Sequence, residues 1–341
     1  MTVIAKLKSR VGKSPAEQRT LWCSECADER ITFQTMPVAG AFTMLTFNMY
    51  YGQVNTRKGN PKRGKAIDVT EYEILFKRGI HVICLQEVVL GPLPTGSEGN
   101  TEASYRARGP YWERWVRMYP NALFASSYKQ LLAMAHKHGY DAYECAAVPS
   151  SMYKQGFGNV IFVHRTVPVR SHRCVRNAMG SLSKYTPSEQ ENRSIISLSL
   201  DAPSLGRIHI ANTHFSEKPS ETAQGETSHE IMAKRIVKHL NVFPRSVVVG
   251  DFNKSDPAST PEAHMQYYTV AFDKDKDTRM YDVFRGAGYS QIQGGYASAW
   301  NARQPDQVLW KGVPPPSITQ VFPWNGKYVL SDHGAFLLQW T

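Results

Sequence analysis

Apolar and polar positions divide this chain into short strand-like runs separated by polar loops. Phe42 to Asn48 (FTMLTFN) reads as a strand. His81 to Leu85 (HVICL) is short and almost continuously apolar, as a strand buried on both faces should be, and it delivers Gln86 and Glu87 at its end. Phe157 to His164, Ser194 to Leu200 and Arg207 to Thr213 read as further strands. Ser246 to Val249 (SVVV) runs directly into Gly250-Asp251-Phe252-Asn253, and Gln307 to Trp310 and Ala335 to Trp340 complete the set. Helical periodicity is rarer. It is found over Thr70 to Arg78, Trp112 to Tyr119, Tyr128 to His138 and Glu226 to Leu240. In the last of these Met232, Ile236 and Leu240 share one face, with Ala233 and Val237 beside them. Those stripes are core contacts.

The predicted strands end on polar residues. Asn48, Glu87, Asn159, His214, Asp251, Asn253, Asp306, Asp332 and His333 all fall at or next to a strand terminus. A single strand-end Asp or Asn is ordinarily a turn former. A whole series of carboxylates, amides and imidazoles at the edges of an apolar sheet framework is chemically more specific. Hydrolysis of a phosphodiester calls for this set. A hard cation takes one or two carboxylates plus water and phosphate oxygens. Developing charge on the phosphate needs amide, imidazole or metal partners. A histidine in such a role is commonly oriented by a carboxylate on its other nitrogen.

Length and composition frame that reading. The 341 residues, 42% hydrophobic and 20% charged, suffice for one large domain with a sizeable core and exclude wholesale disorder. Residues 1–40 read as an extension and 41–341 as the domain. The 40 basic against 29 acidic residues leave a net charge of +11, and the pI is near 9.3. A surface of that sign attracts polyanions such as nucleic acid or anionic lipid. Five basic residues and no acid crowd the segment 55–65: Arg57, Lys58, Lys62, Arg63 and Lys65. If Asn48 is in the site, this loop leaves from its rim. A second long loop, Gly91 to Pro110, follows Glu87.

Other signals are weaker. The five cysteines, Cys23, Cys26, Cys84, Cys145 and Cys174, are scattered and odd in number, so no disulfide framework is expected and a reducing compartment is favoured. The Cys23–Cys26 pair lacks a second pair of zinc ligands. Gly12-Lys13-Ser14 lacks the first glycine of a phosphate-binding loop, since Leu7 stands there. The N-terminus has no signal-peptide core, and no apolar run of about eighteen residues predicts a membrane span. Asn253 heads an Asn-Lys-Ser glycosylation pattern, which argues against the secretory route. The expectation is an intracellular monomer.

Taken in order, LTFNMY (45–50), LQEV (85–88), GNVIFV (158–163), ANTHFS (211–216), VVVGDFN (247–253), PDQVLW (305–310) and LSDHGAF (330–336) resemble the endonuclease/exonuclease/phosphatase superfamily, whose members are DNase I-like. The resemblance spans roughly residues 42–340. It implies a four-layer α/β sandwich of two packed mixed β-sheets flanked by helices, and divalent-metal-dependent hydrolysis of phosphoric esters with Mg²⁺ or Mn²⁺. It implies Glu87 as principal metal ligand with Asn48 beside it and Asp332 completing the shell. Asp251 positions or deprotonates the attacking water, and Asn253 holds a phosphate oxygen. His214 stabilises the pentacovalent phosphate. His333, oriented by Asp306, binds phosphate or transfers a proton, and Asn159 supports the site on the substrate side. Within the superfamily, His214 stands where abasic-site endonucleases place Asn. Gln307 after Asp306 departs from the inositol-polyphosphate phosphatases. The charge and the basic loop favour a nucleic-acid substrate, with Arg57, Lys58, Lys62, Arg63 and Lys65 following the backbone. A sphingomyelinase-like phospholipid or inositol-phosphate substrate is the alternative, and a non-catalytic binding protein a third.

Overall fold

Three separate apolar clusters determine how the chain is layered. In the computed structural model the residues described are 40–49, 69–88, 90, 125–146, 158–176, 178, 193–216, 224–254, 279–291, 306–321, 331 and 333–341. Among them are twelve strands. They are β1 (Phe42–Asn48), β2 (Val82–Val88), β3 (Tyr140–Ala146), β4 (Gly158–His164), β5 (Val169–Val175), β6 (Ile195–Ala202), β7 (Gly206–His214), β8 (Ser246–Asp251), β9 (Ser290–Gln291), β10 (Asp306–Lys311), β11 (Ser317–Val321) and β12 (Ala335–Trp340). The α-helices are α1 (Glu73–Phe76), α2 (Ala125–Lys137), α3 (Ser228–Leu240) and α4 (Arg279–Gly286).

The strands form two six-stranded sheets, ordered β11-β12-β1-β2-β4-β3 and β5-β6-β7-β8-β10-β9. One apolar cluster (Phe42, Met44, Cys84, Ile161, Leu198, Ile210, Val249, Phe336) fills the space between them. A second packs Leu75, Phe76 and Leu131 of α1 and α2 on the outer face of the first sheet. A third packs Met232, Ile236 and Phe284 of α3 and α4 on the outer face of the second. Period-two alternation along buried strands sends successive side chains to different clusters: Val247 and Val249 go inward and Val248 outward. The result is the four-layer α/β sandwich with two mixed sheets. Helix α3 starts at a capping box, in which Thr227 Oγ1 accepts from the Glu230 N–H and the Glu230 carboxylate accepts from the Thr227 N–H.

The topology creates one polar edge. Each sheet has one parallel pair at its centre, β1–β2 and β7–β8, which sets two carboxyl ends side by side. Their antiparallel neighbours bring amino ends to the same edge: β12 beside β1, β4 beside β2, β6 beside β7 and β10 beside β8. Residues at those eight ends therefore face one another across the mouth of the sandwich. Beneath this edge a fully buried amide clasp joins the sheets. Gln86 Nε2 donates to Asn212 Oδ1 at 2.7 Å, and Asn212 Nδ2 donates to the carbonyls of Leu85 (2.9 Å) and Val160 (3.0 Å).

Gly250 is needed where β8 approaches β7. Its φ is +142°, and a Cβ there would overlap the carbonyl oxygen of Thr213. Gly250→Ala should therefore part the β7–β8 pair and cost at least about 3 kcal/mol, near the upper range for single substitutions. Thermal unfolding checks this; an unchanged melting temperature would contradict the close approach.

Cys145 of β3 and Cys174 of β5 are disulfide-bonded, with Cα atoms 5.3 Å apart. This corrects the expectation drawn from scattered, odd-numbered cysteines. The bridge joins the facing edges of the two sheets, a proximity that their separation of 29 residues does not reveal. It also removes the cysteine argument for a reducing compartment. Cys84 is free and buried. Cys23 and Cys26 lie outside the described residues, as do residues 1–39, the predicted helix Trp112 to Tyr119 and the loop Gly91 to Pro110.

Candidate active site

Asp251, the last residue of β8, sits at the centre of the polar edge and is 1% exposed. Its Oδ2 accepts from Asn48 Nδ2 at 2.8 Å, across the gap between the sheets. Its Oδ1 accepts from the backbone N–H of Asn253 at 2.7 Å. His214 Nε2 lies 3.5 Å and His333 Nε2 3.7 Å from Oδ2. Glu87 enters from β2, its Oε1 3.6 Å from His214 Nε2. Asn253 lies beside it, with Nδ2 donating to the Phe215 carbonyl at 2.8 Å and 3.0 Å from His214 Nε2. His333 Nδ1 is 2.7 Å from Asp306 Oδ2. The Ser331 hydroxyl accepts from the His333 backbone N–H at 3.2 Å.

Local backbone geometry aims two of these side chains. The β2–β4 ladder slips between Leu85 and Val88, and Glu87 within that bulge has φ +53°. Asn253 has φ +56°. Left-handed φ at a non-glycine residue costs on the order of 1–3 kcal/mol and persists where the surroundings over-determine it. Here both residues turn into the cluster.

The structure thus brings together Asn48, Glu87, His214, Asp251, Asn253, Asp306 and His333. Asn159 is placed differently. It is buried, and its Nδ2 donates to Ser194 O (2.8 Å) and faces Ser194 Oγ (3.3 Å), so it ties β4 to the start of β6 rather than facing the cluster. That corrects its placement on the substrate side. Asp332, Arg57, Lys58, Lys62, Arg63 and Lys65 lie outside the described residues.

Sequence reasoning passes over Arg193. It precedes β6 and is 2% exposed, and its Nη1 lies 2.8 Å from His214 Nδ1. The available signal is position: a cation entering an apolar strand at the edge where the other polar residues gather. Burial holds the His214 pKa well below the ordinary imidazole range, and the charge of Arg193 and proximity of His333 push the same way. His214 is therefore neutral near pH 7.

Two overlapping groups can hold a cation. The donor atoms of Glu87, His214 and Asp251 lie within 4.8 Å of one another, as do those of Asp251, Asp306 and His333. Carboxylate oxygens dominate both sets, which fits a hard divalent ion.

Three other histidines share the lowered pKa of His214. Burial, with Arg207 and His239 nearby, brings His209 down to about 4, and its ring stacks on Phe243. Burial also lowers His81, near His164, and His239, near Arg173. A folded pKa below the unfolded one means that the unfolded chain takes up the proton first. The stability these groups contribute is complete above about pH 6.5 and is lost as pH falls below it. The melting temperature should drop between about pH 6.5 and pH 5, and His209→Gln should flatten that slope. A melting temperature independent of pH over this window would contradict the burial assigned to these imidazoles.

No protein-family model matches the chain, and no curated protein matches it in sequence. Solved structures do match. An endonuclease/exonuclease/phosphatase from Beutenbergia cavernae DSM 12333 superposes with a TM-score of 0.53 at 15% identity, covering 88% of this chain and 71% of its own. An endonuclease/exonuclease/phosphatase family protein from Leptotrichia buccalis C-1013-b superposes with a TM-score of 0.52 at 12% identity, covering 87% of this chain and 98% of its own. At such identities the likeness concerns the backbone. With the layer order and the two parallel pairs described above, this chain has the DNase I-like endonuclease/exonuclease/phosphatase fold.

Proposed function

We propose that this chain is a divalent-metal-dependent phosphoesterase that cleaves phosphodiester bonds, with nucleic acid as its substrate. The observation that carries the reading is the convergence of two carboxylates, two amides and two imidazoles from both sheets around Asp251. A divalent cation held by Glu87 and Asp251 supplies charge neutralisation at the phosphate. Asn253 and His214 offer N–H groups to phosphate oxygens, stabilising charge where it develops. Asp251 orients the attacking water, and Asn48 and the Asn253 backbone N–H fix the rotamer of its carboxylate. His333, steadied by Asp306, delivers a proton to the departing oxygen.

The net charge of +11 and the basic segment 55–65 favour a polyanionic substrate. The test is hydrolysis of plasmid DNA, single-stranded DNA, RNA, sphingomyelin, inositol polyphosphates and a small aryl phosphodiester, each with Mg²⁺ and with EDTA. Cleavage of polymers should weaken steeply with salt, because each neutralised phosphate releases counterions. Replacing Arg57, Lys58, Lys62, Arg63 and Lys65 together by Ser should lower kcat/KM on the polymer, leave the small diester unchanged and flatten the salt slope. Equal salt dependence on both substrates would exclude the nucleic-acid reading. No helix among the described residues is long and apolar enough to cross a membrane.

A further inference from the structure

The two imidazoles of the site have opposite kinds of partner. His333 Nδ1 faces a carboxylate, Asp306 Oδ2, at 2.7 Å. A carboxylate accepts, so Nδ1 of His333 carries a hydrogen and its Nε2 is left to exchange a proton. His214 Nδ1 faces the Arg193 guanidinium, with Nη1 at 2.8 Å. A guanidinium has five N–H donors and no lone pair to offer. Nδ1 of His214 must therefore accept, and a neutral imidazole has one accepting nitrogen. The hydrogen then resides on Nε2, the atom lying 3.5 Å from Asp251 Oδ2 and 3.6 Å from Glu87 Oε1. The reverse tautomer would drive an N–H into a buried cation.

Asn253 Nδ2, 3.0 Å from Nε2, is a second donor near the ring. It is already committed to the Phe215 carbonyl at 2.8 Å, whereas Arg193 can do nothing but donate. The placement of Arg193 is itself secured. Its carbonyl accepts from the Ala178 N–H at 2.8 Å, and the next residue, Ser194, is held by Asn159 Nδ2 and donates from Oγ to Cys145 O at 2.8 Å.

We infer that Arg193 is a positioning residue that locks His214 as the neutral Nε2–H tautomer, a fixed hydrogen-bond donor, which leaves His333 as the imidazole of the pair able to take up and release a proton. The inference rests on the phosphoesterase reading for its functional meaning, but not for its geometry. One consequence is immediate. With a hydrogen on Nε2 and Arg193 on Nδ1, His214 has no lone pair for a metal, so carboxylate oxygens and not imidazole nitrogen would hold a cation in the Glu87–His214–Asp251 group. This favours a hard ion over a nitrogen-preferring one.

The test uses full-length protein labelled with ¹⁵N-histidine and long-range ¹H–¹⁵N correlation spectra, with His214 assigned by its loss in His214→Gln. In the wild type the hydrogen should be on Nε2 and should stay there when Mg²⁺ or Zn²⁺ is added. In Arg193→Met the resonance should move towards the Nδ1–H form or an average of the two. Arg193→Lys, which also only donates, should restore Nε2–H. For hydrolysis, Arg193→Met should lower kcat about 10–100-fold, the scale of removing an outer-shell partner, with KM little changed. An Nδ1–H or doubly protonated His214 in the wild type overturns the inference, as does an Nε2–H form that persists in Arg193→Met with full kcat. The spectrum needs no substrate. A correct tautomer in a protein that hydrolyses no phosphoester would sink the functional reading and leave this one standing. If Arg193→Met fails to fold, the wild-type and metal-titration spectra still decide.

Discussion

Asp251→Asn is expected to lower kcat for phosphodiester hydrolysis about a thousandfold while the protein stays folded. Asp251 accepts hydrogen bonds on both oxygens, from Asn48 Nδ2 and from the Asn253 N–H. Asparagine keeps one acceptor for the Asn253 N–H, and the Asn48 amide can turn over to accept from the new NH₂ group. The fold therefore loses little. What disappears is the negative charge at the point where Glu87, His214 and His333 converge, and with it both the anionic metal ligand and the group that orients water. Saturation kinetics on a small aryl phosphodiester, with a thermal melt as control, make the measurement. Activity within about tenfold of wild type would mean that another group directs the water.

His333→Ala should reduce kcat by about two orders of magnitude or more, and Asp306→Asn by less. Removing the imidazole removes the proton carrier. Asparagine at 306 can still accept from Nδ1–H through its amide oxygen, so the ring keeps its tautomer and loses only the adjacent charge. Near-normal turnover of His333→Ala would show that the leaving oxygen departs without this proton. An Asp306→Asn loss exceeding that of His333→Ala would mean that Asp306 acts directly rather than through the histidine.

The central strands are legible in the sequence and the peripheral ones are not. Phe42–Asn48 and Ala335–Trp340 coincide with the observed β1 and β12, and the other predicted strands agree to within a few residues. Each of these has neighbours on both sides and is buried on both faces for most of its length, so its apolar run is nearly continuous. The four strands without a sequence signal, β3, β5, β9 and β11, are the four sheet edges. β5 reads VRSHRCV and is mostly exposed, and β3 reads YDAYECA. Edge strands face solvent on one side and are commonly charged, which discourages pairing with other chains, and that erases the alternation. Helix α4, RMYDVFRG, is short and carries Arg and Asp among its three buried positions Met280, Tyr281 and Phe284.

The candidate site shows the same division. Residues at strand ends were findable because a polar residue interrupts an apolar run, as Asp251 does after SVVVG and Glu87 after VICLQ. Asn159 was found for that reason too, but its side chain turns to Ser194, and the sequence carries no record of direction. Arg193 was missed because it precedes its strand within a polar segment and reaches His214 only through the β6–β7 pairing. The disulfide was missed because Cys145 and Cys174 lie on the two edge strands that the sequence does not mark.

The central claim is that the cluster around Asp251 hydrolyses phosphodiesters with a divalent cation held through Glu87. The most direct measurement is the rate of phosphodiester hydrolysis against free Mg²⁺ for the wild type and Glu87→Gln, starting from protein stripped with EDTA. The account predicts no hydrolysis without metal, saturable recovery on adding Mg²⁺ or Mn²⁺ to the wild type, and in Glu87→Gln a curve displaced to higher metal concentration with a much lower plateau. Full activity in EDTA, or identical curves for the two proteins, would contradict it.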